Sequence, residues 1–138
     1  LALGATVVTS KRRIAADDFF QGMFTTALQP DELLVAIEFP VPQKAGYAKM
    51  GNPASRYVMA GAFVAKTADG VRVAINGAGP GVFRQKAMEA ALSANWSPDA
   101  VANIKQPADG LNSDIHGSAE YRAHLVTVMA KRAVADAG

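Results

Sequence analysis

Few residues in this chain have the type and spacing to do chemistry. The most suggestive stretch runs from Val71 to Leu92, VRVAINGAGPGVFRQKAMEAAL, where a β-branched run leads into Gly77, Gly79 and Gly81 and then into a helix-like segment. A dinucleotide-binding turn needs G-x-G-x-x-G between a parallel strand and a helix, so that backbone amides and the helix N-terminus meet the pyrophosphate. Here the spacing is G-x-G-x-G, and Pro80 removes an amide donor from the middle of the loop. Asp99 sits near the offset of a ribose-binding carboxylate, but an acid at that distance is common by chance. The glycines therefore read as an exit from a strand into a helix.

The remaining candidates have simpler explanations. His116 and His124 are eight residues apart, with no third nitrogen or paired carboxylate at ligand spacing. Asp17-Asp18 and Asp31-Glu32 are adjacent acids in turns or first helical turns, where dipole and solvation roles outweigh acid–base work. Ser118 is explained as a helix cap, and Met50, Met59 and Met129 as core filling. Trp96 reads as a loop aromatic anchored to the core. Lys11-Arg12-Arg13 and Lys131-Arg132 are the only adjacent basic residues in a chain of net charge +2, which argues against nucleic-acid binding. The absence of cysteine excludes disulfides, thiolate metal sites, iron–sulfur ligation and a thiol nucleophile within the sequence, and it fits a reducing compartment.

The elements that must carry these residues indicate an α+β chain of 138 residues, half of them hydrophobic, enough for one good core and a smaller second one. ATVVTS reads as a strand. Asp17 is placed to cap a short helix before Phe19 and Phe20, and LQPDE forms a turn. In LLVAIEFP, Leu33, Val35, Ile37 and Phe39 alternate with Leu34, Ala36 and Glu38, which predicts a strand ended by Pro40 and Pro42. VPQKAG is the best boundary. Beyond it YAKM, YVMAGAFVAK and VRVAIN form three consecutive strands, the last two joined by TADG, and so an antiparallel meander. Helices are predicted over Phe83–Leu92, with Phe83, Ala87, Ala90 and Ala91 on one face, over Asp99–Lys105, and from Ser118 to Lys131 and Arg132. No apolar run is long enough to span a bilayer. The chain opens on Leu1 rather than Met and reads as a piece of a longer polypeptide.

Three ordered stretches together resemble one family. RRIAADDFFQGMFTTALQPDELLVAIEFPVP is similar to R-x-I-x-x-x-x-F-F-x-G followed by T-x-L-x-x-x-E-[LI]-L and I-x-x-P. YAKMGNPASRYVMAGAFVA resembles a Y-x-K strand and the segment after it. NGAGPGVFRQKAMEAAL and SDIHGSAEYRAHLVTVMAKRAV are similar to G-x-G-x-x-x-x-R-x-x-x-x-E-x-x-L and S-x-x-Y-R-x-x-x-x-x-x-x-R-A. The family is the FAD-binding medium subunit of the molybdenum hydroxylases, the xanthine dehydrogenase and carbon monoxide dehydrogenase group.

This resemblance implies a layout and a role. Residues 1–42 would be the tail of the FAD-binding domain. Residues 43–138 would be the C-terminal domain, a three-stranded antiparallel sheet with a small helical bundle. The loops that hold the FAD diphosphate would lie upstream. By alignment Leu34 would pack on the flavin, Lys49 would approach its isoalloxazine, and Tyr57 would stand beside the ring. Plain structural roles compete for each: core for Leu34, a solvent-facing strand position for Lys49, an interior aromatic for Tyr57. Members with R-x-x-x-D have a carboxylate where this chain has NPASR, which leans toward a quinone-type acceptor over NAD. The implied assembly is an oxidoreductase in the cytoplasm, a dimer of heterotrimers. A large subunit would carry molybdopterin and a small one [2Fe-2S] clusters, with no nucleic acid and no more than peripheral membrane contact. The rival expectation is a non-enzymatic subunit-docking domain that does not touch flavin.

Overall fold

The computed structural model describes residues 1–137 and has the expected α+β character. The first unit is small. Strands β1 (Thr6–Thr9), β2 (Arg13–Ala15) and β5 (Leu34–Glu38) form an antiparallel sheet in the order β2-β1-β5. Between β2 and β5 come the single-turn α1 (Ala16–Phe19) and the short pair β3 (Phe20–Gly22) and β4 (Thr25–Thr26). In β1, Val7 stands opposite both Ile14 and Ile37. Val7, Ile14 and Phe19 make a core of their own, with Ala27 and Leu28 against it.

Strand β5 forms where the alternation predicts it, yet both of its faces are open: Leu34, Val35 and Ile37 are 45%, 66% and 45% exposed. A strand apolar on both sides is normally covered on both. In this unit the cover is lacking on either side.

The second unit carries most of the burial. Strands β6 (Lys44–Gly51), β7 (Val58–Thr67), β8 (Gly70–Asn76) and β9 (Phe83–Arg84) form an antiparallel sheet in chain order. The meander is as expected. The fourth strand is an addition, because Phe83 and Arg84 pair with Ile75 and Ala74 instead of opening a helix. Helix α2 therefore starts later, at Lys86, and runs to Ala94, capped by the Gln85 side chain on the amides of Ala87 and Met88. Its buried face is Met88, Glu89 and Leu92, not the expected alanine face. Glu89 is buried there as a two-point acceptor from Arg84, at 2.7 and 2.8 Å.

Ser97 caps the short α3 (Pro98–Val101), which stops before the expected Lys105. Ser118 caps α4 (Ala119–Asp136) as expected, through the amide of Tyr121. The helix continues a turn past Lys131 and Arg132, and its buried residues are Arg122, Ala123, Leu125, Val126, Met129, Ala130, Ala133 and Val134, while Tyr121 and Arg132 are exposed.

Register assigns two faces to the larger sheet. Gly46, Ala48 and Met50 on β6, Ala60, Ala62 and Val64 on β7, and Val71, Val73 and Ile75 on β8 share the face packed under α4 and α2. Small residues let α4 lie close: a Cβ on Gly46 would come 2.0 Å from the Ala133 carbonyl oxygen. The opposite face presents Tyr47, Phe63 and Ala74 in one row, Lys49, Gly61 and Asn76 in the next, and Ala45, Ala65 and Arg72 in a third. The first unit lies on this second face. No described helix is long and apolar enough to cross a membrane.

Candidate functional site

The three residues picked by resemblance fall on two elements. Lys49 and Tyr57 belong to the hairpin of β6 and β7, while Leu34 is on β5 of the smaller sheet. None of the clefts described has any two of them in its wall. All three side chains are exposed, so the competing reading of Leu34 as core and of Tyr57 as an interior aromatic does not describe this chain.

Tyr57 is 80% exposed. The loop that holds it is tightly built. Asn52 is buried and its Oδ1 accepts from the amides of Ala54 and Ser55, while its own amide donates to the Tyr57 carbonyl at 2.7 Å. Arg56, directly before Tyr57, is held at φ 64°, a left-handed conformation that costs a non-glycine residue free energy. A rigid turn thus keeps a large aromatic ring in the open. Tyr57 walls a cleft of about 410 Å³ with Asn52, Ser55, Asn112, Asp114, His116 and Arg122.

Arg122 fixes the floor of that cleft. It is 5% exposed and donates to the Met59 carbonyl at 2.7 Å, to the Gly77 carbonyl at 3.3 Å and to Asp114 Oδ2 at 2.7 Å. Asp114 is held below the usual carboxylate range, first by the backbone amide of His116 and then by Arg122. One guanidinium thereby ties together the start of β7, the glycine turn and the loop before α4. Sequence reasoning placed this arginine only inside a Y-R motif. Its function was hidden because Met59 is 63 residues away.

Lys49 lies on the other face of the sheet, in the row with Gly61 and Asn76. In the middle of that row a Cβ on Gly61 would meet Asn76 Oδ1 at 2.4 Å and the Tyr47 hydroxyl at 2.8 Å, so a larger residue would displace both side-chain ends. Asn76 Nδ2 reaches the Tyr47 hydroxyl at 3.4 Å, and Asn76 Oδ1 is buried without a donor. A cation, a tyrosine hydroxyl and an orphaned acceptor thus stand along one sheet face.

The glycine turn is packed with protein. Gly77 has φ +76°, and a Cβ there would come 2.3 Å from the Val58 carbonyl oxygen, while Gly79 lies against Phe83 and Leu111. Asn112 and Arg122 already use the Gly77 carbonyl. The turn follows an antiparallel strand and serves as the passage from β8 to β9. His116 and His124 are exposed, and the His116 amide closes a turn on Asp114.

Residues 50–137 match the CO dehydrogenase flavoprotein C-terminal domain, and residues 1–42 match the FAD binding domain in molybdopterin dehydrogenase. The chain belongs to the CO dehydrogenase flavoprotein family. It is 37% identical to the nicotine 6-hydroxylase medium subunit of Paenarthrobacter nicotinovorans over 95% of this chain and 50% of that protein. It is 34% identical to the carbon monoxide dehydrogenase medium chain of Afipia carboxidovorans, over 89% of this chain and 47% of the relative. Its structure superposes on a chain of reconstituted CO dehydrogenase from Oligotropha carboxidovorans with a TM-score of 0.81 at 28% identity, covering 98% of this chain and 53% of the other. The chain therefore spans about half the length of the relatives it matches.

Proposed function

We propose that this chain is the C-terminal portion of the flavoprotein (medium) subunit of a molybdenum-containing hydroxylase or dehydrogenase, and that it supplies one side of the FAD site. Residues 1–42 are then the tail of the FAD-binding domain and residues 43–138 the C-terminal domain. The observation that carries this reading is Tyr57, an aromatic ring held 80% exposed by a turn with a left-handed Arg56. Strain kept at an exposed aromatic points to a contact outside the chain.

The residues present fit a flavin ring and not its diphosphate. Tyr57 and Leu34 offer uncovered apolar surface, Lys49 offers a cation, and the buried Asn76 Oδ1 lacks the N–H donor that a heteroaromatic ring could bring. The filled glycine turn offers no cradle for phosphate. The diphosphate is assigned to the half of the relatives that this chain does not span. When bound, FAD supplies a relay of electrons from iron–sulfur clusters to an external acceptor, and the redox chemistry is the cofactor's own. With FAD bound, Tyr57 would cover and orient the ring, Leu34 would exclude water from it, and Lys49 would supply a positive charge beside it.

The partners are a large molybdopterin-bearing subunit and a small [2Fe-2S] subunit, as a cytoplasmic dimer of heterotrimers. NPASR, which lacks the carboxylate of R-x-x-x-D, favours a quinone-type acceptor. The test is Tyr57→Ala in the FAD-containing full-length subunit. Flavin reoxidation followed by stopped-flow absorbance should change while the unfolding midpoint stays within about 0.5 kcal/mol of wild type, as for an exposed side chain. Unchanged reoxidation removes Tyr57 from the site.

A further inference from the structure

The two units of this chain touch lightly. Each has its own core, and no helix or strand of the first packs extensively on one of the second. Between them lie two clefts, of about 280 and 220 Å³, that share Leu1, Phe20 and Val82 in their walls. Apolar packing across such a seam is incomplete, so its geometry depends on the few specific contacts that cross it.

Those contacts converge on Asp17, a residue of the single-turn α1. Its Oδ2 accepts from Arg72 Nη1 on β8 at 2.5 Å, and its Oδ1 accepts from Arg84 Nη1 on β9 at 2.9 Å. Both arginines are oriented by other bonds. Arg84 makes a two-point pair with Glu89 at 2.7 and 2.8 Å, and Glu89 in turn accepts the Val73 amide at 3.1 Å. Arg72 also reaches the Leu1 carbonyl at 3.4 Å and lies against Gly4, where φ is +67° and a Cβ would come 3.1 Å from Nε. One carboxylate gripped from two strands resists rotation as well as sliding. The neighbouring Asp18 makes no ion pair among the described residues.

We propose that Asp17 is the joint of the molecule: a positioning residue that, through Arg72 and Arg84, sets how the unit bearing Leu34 is seated on the sheet bearing Lys49 and Tyr57. Its consequence for flavin rests on the function proposed above; the joint itself does not.

Hydrogen exchange with mass spectrometry on the whole chain tests the joint. Asp17→Asn should speed exchange by about tenfold, the factor for losing a charge-assisted bond, in residues 14–22 and also in 81–85 across the seam. The α4 amides should not change, which shows that the sheet and its helices remain folded. Arg72→Gln should speed residues 14–22 from the other side, and Asp31→Asn, which removes an exposed pair with Lys11, should do neither. Faster exchange confined to 14–22 in the first variant, or no change there in Arg72→Gln, overturns the joint. In the FAD-containing full-length subunit, Asp17→Asn should shift the visible circular dichroism of the flavin and Asp31→Asn should not. If the exchange result holds while the flavin signal stays put, the joint stands and its link to the flavin falls.

Discussion

Glu32 shows how much of this protein is decided by single side chains. The sequence showed it in a turn, as half of an acidic pair and as the acid of a family motif, yet its carboxylate is buried and accepts from Arg12 Nε at 2.9 Å, Thr9 Oγ1 at 2.6 Å and the Gln29 amide at 3.0 Å. These bonds, the Arg12 pair foremost, hold its pKa at about 2 against the usual 4.5. A depressed carboxylate stabilises the fold fully above the unfolded value and loses that effect as pH falls through the folded one. The first unit should therefore lose stability between pH 4.5 and about 2, and Glu32→Gln should flatten that limb in an acid titration followed by exchange at residues 9–12. Arg122 has the same hidden character. Arg122→Ala removes the side-chain donor to the Met59 carbonyl, leaves the Gly77 carbonyl to Asn112 alone, and should cost about 2–3 kcal/mol in chemical denaturation. Asp17 reads locally as a helix cap, but the cap position is Ala15 with no side-chain bond, and Asp17 faces partners 55 and 67 residues away.

Among the elements, strands were easier to read than helix faces. The hairpin of β7 and β8 follows from alternation and from Thr67-Ala68-Asp69-Gly70, where Gly70 takes φ +120°. Helix α4 follows from its cap and period. Its buried stripe did not, because its long polar residues turn both ways: Arg122 is buried by bonds to carbonyls, while Arg132 is exposed. Among the glycines of the second unit, Gly46, where α4 crosses β6, leaves the least room for a side chain. Gly46→Ala forces backbone apart, so its cost should reach the upper end of about 1–3 kcal/mol for overpacking, read as a lowered melting temperature. A variant as stable as wild type would show that the helix can ride over the strand freely.

At the scale of the whole molecule, the distribution of exposed apolar surface separates the units. Nine large hydrophobic residues from Phe20 to Val41 are exposed in the first unit, including Phe24, Leu33, Val35 and Phe39, whereas the second buries a continuous core. The first unit alone leaves both faces of β5 open, and the turn at Gly77 and Gly79 is filled by Val58, Phe83 and Leu111. The 138-residue chain by itself should therefore purify colourless, and a subunit extended to the full length of the relatives should purify yellow; absorbance of the purified proteins decides. A colourless extended protein that stays free of added FAD would defeat the flavin reading.

Local patterns were enough for the α+β class, the antiparallel meander and the cap at Ser118, since alternation, turn chemistry and capping act over a few residues. They were also enough to reject the glycines as a nucleotide turn, because spacing and Pro80 are written in the chain. Only the tertiary structure decided that Gly77 lies under Val58, that Arg122 binds three segments, and that Asp17 fastens one unit to the other. Each of those depends on residues from different elements of the chain. A charged group finds such a partner through packing and register, which no local period encodes.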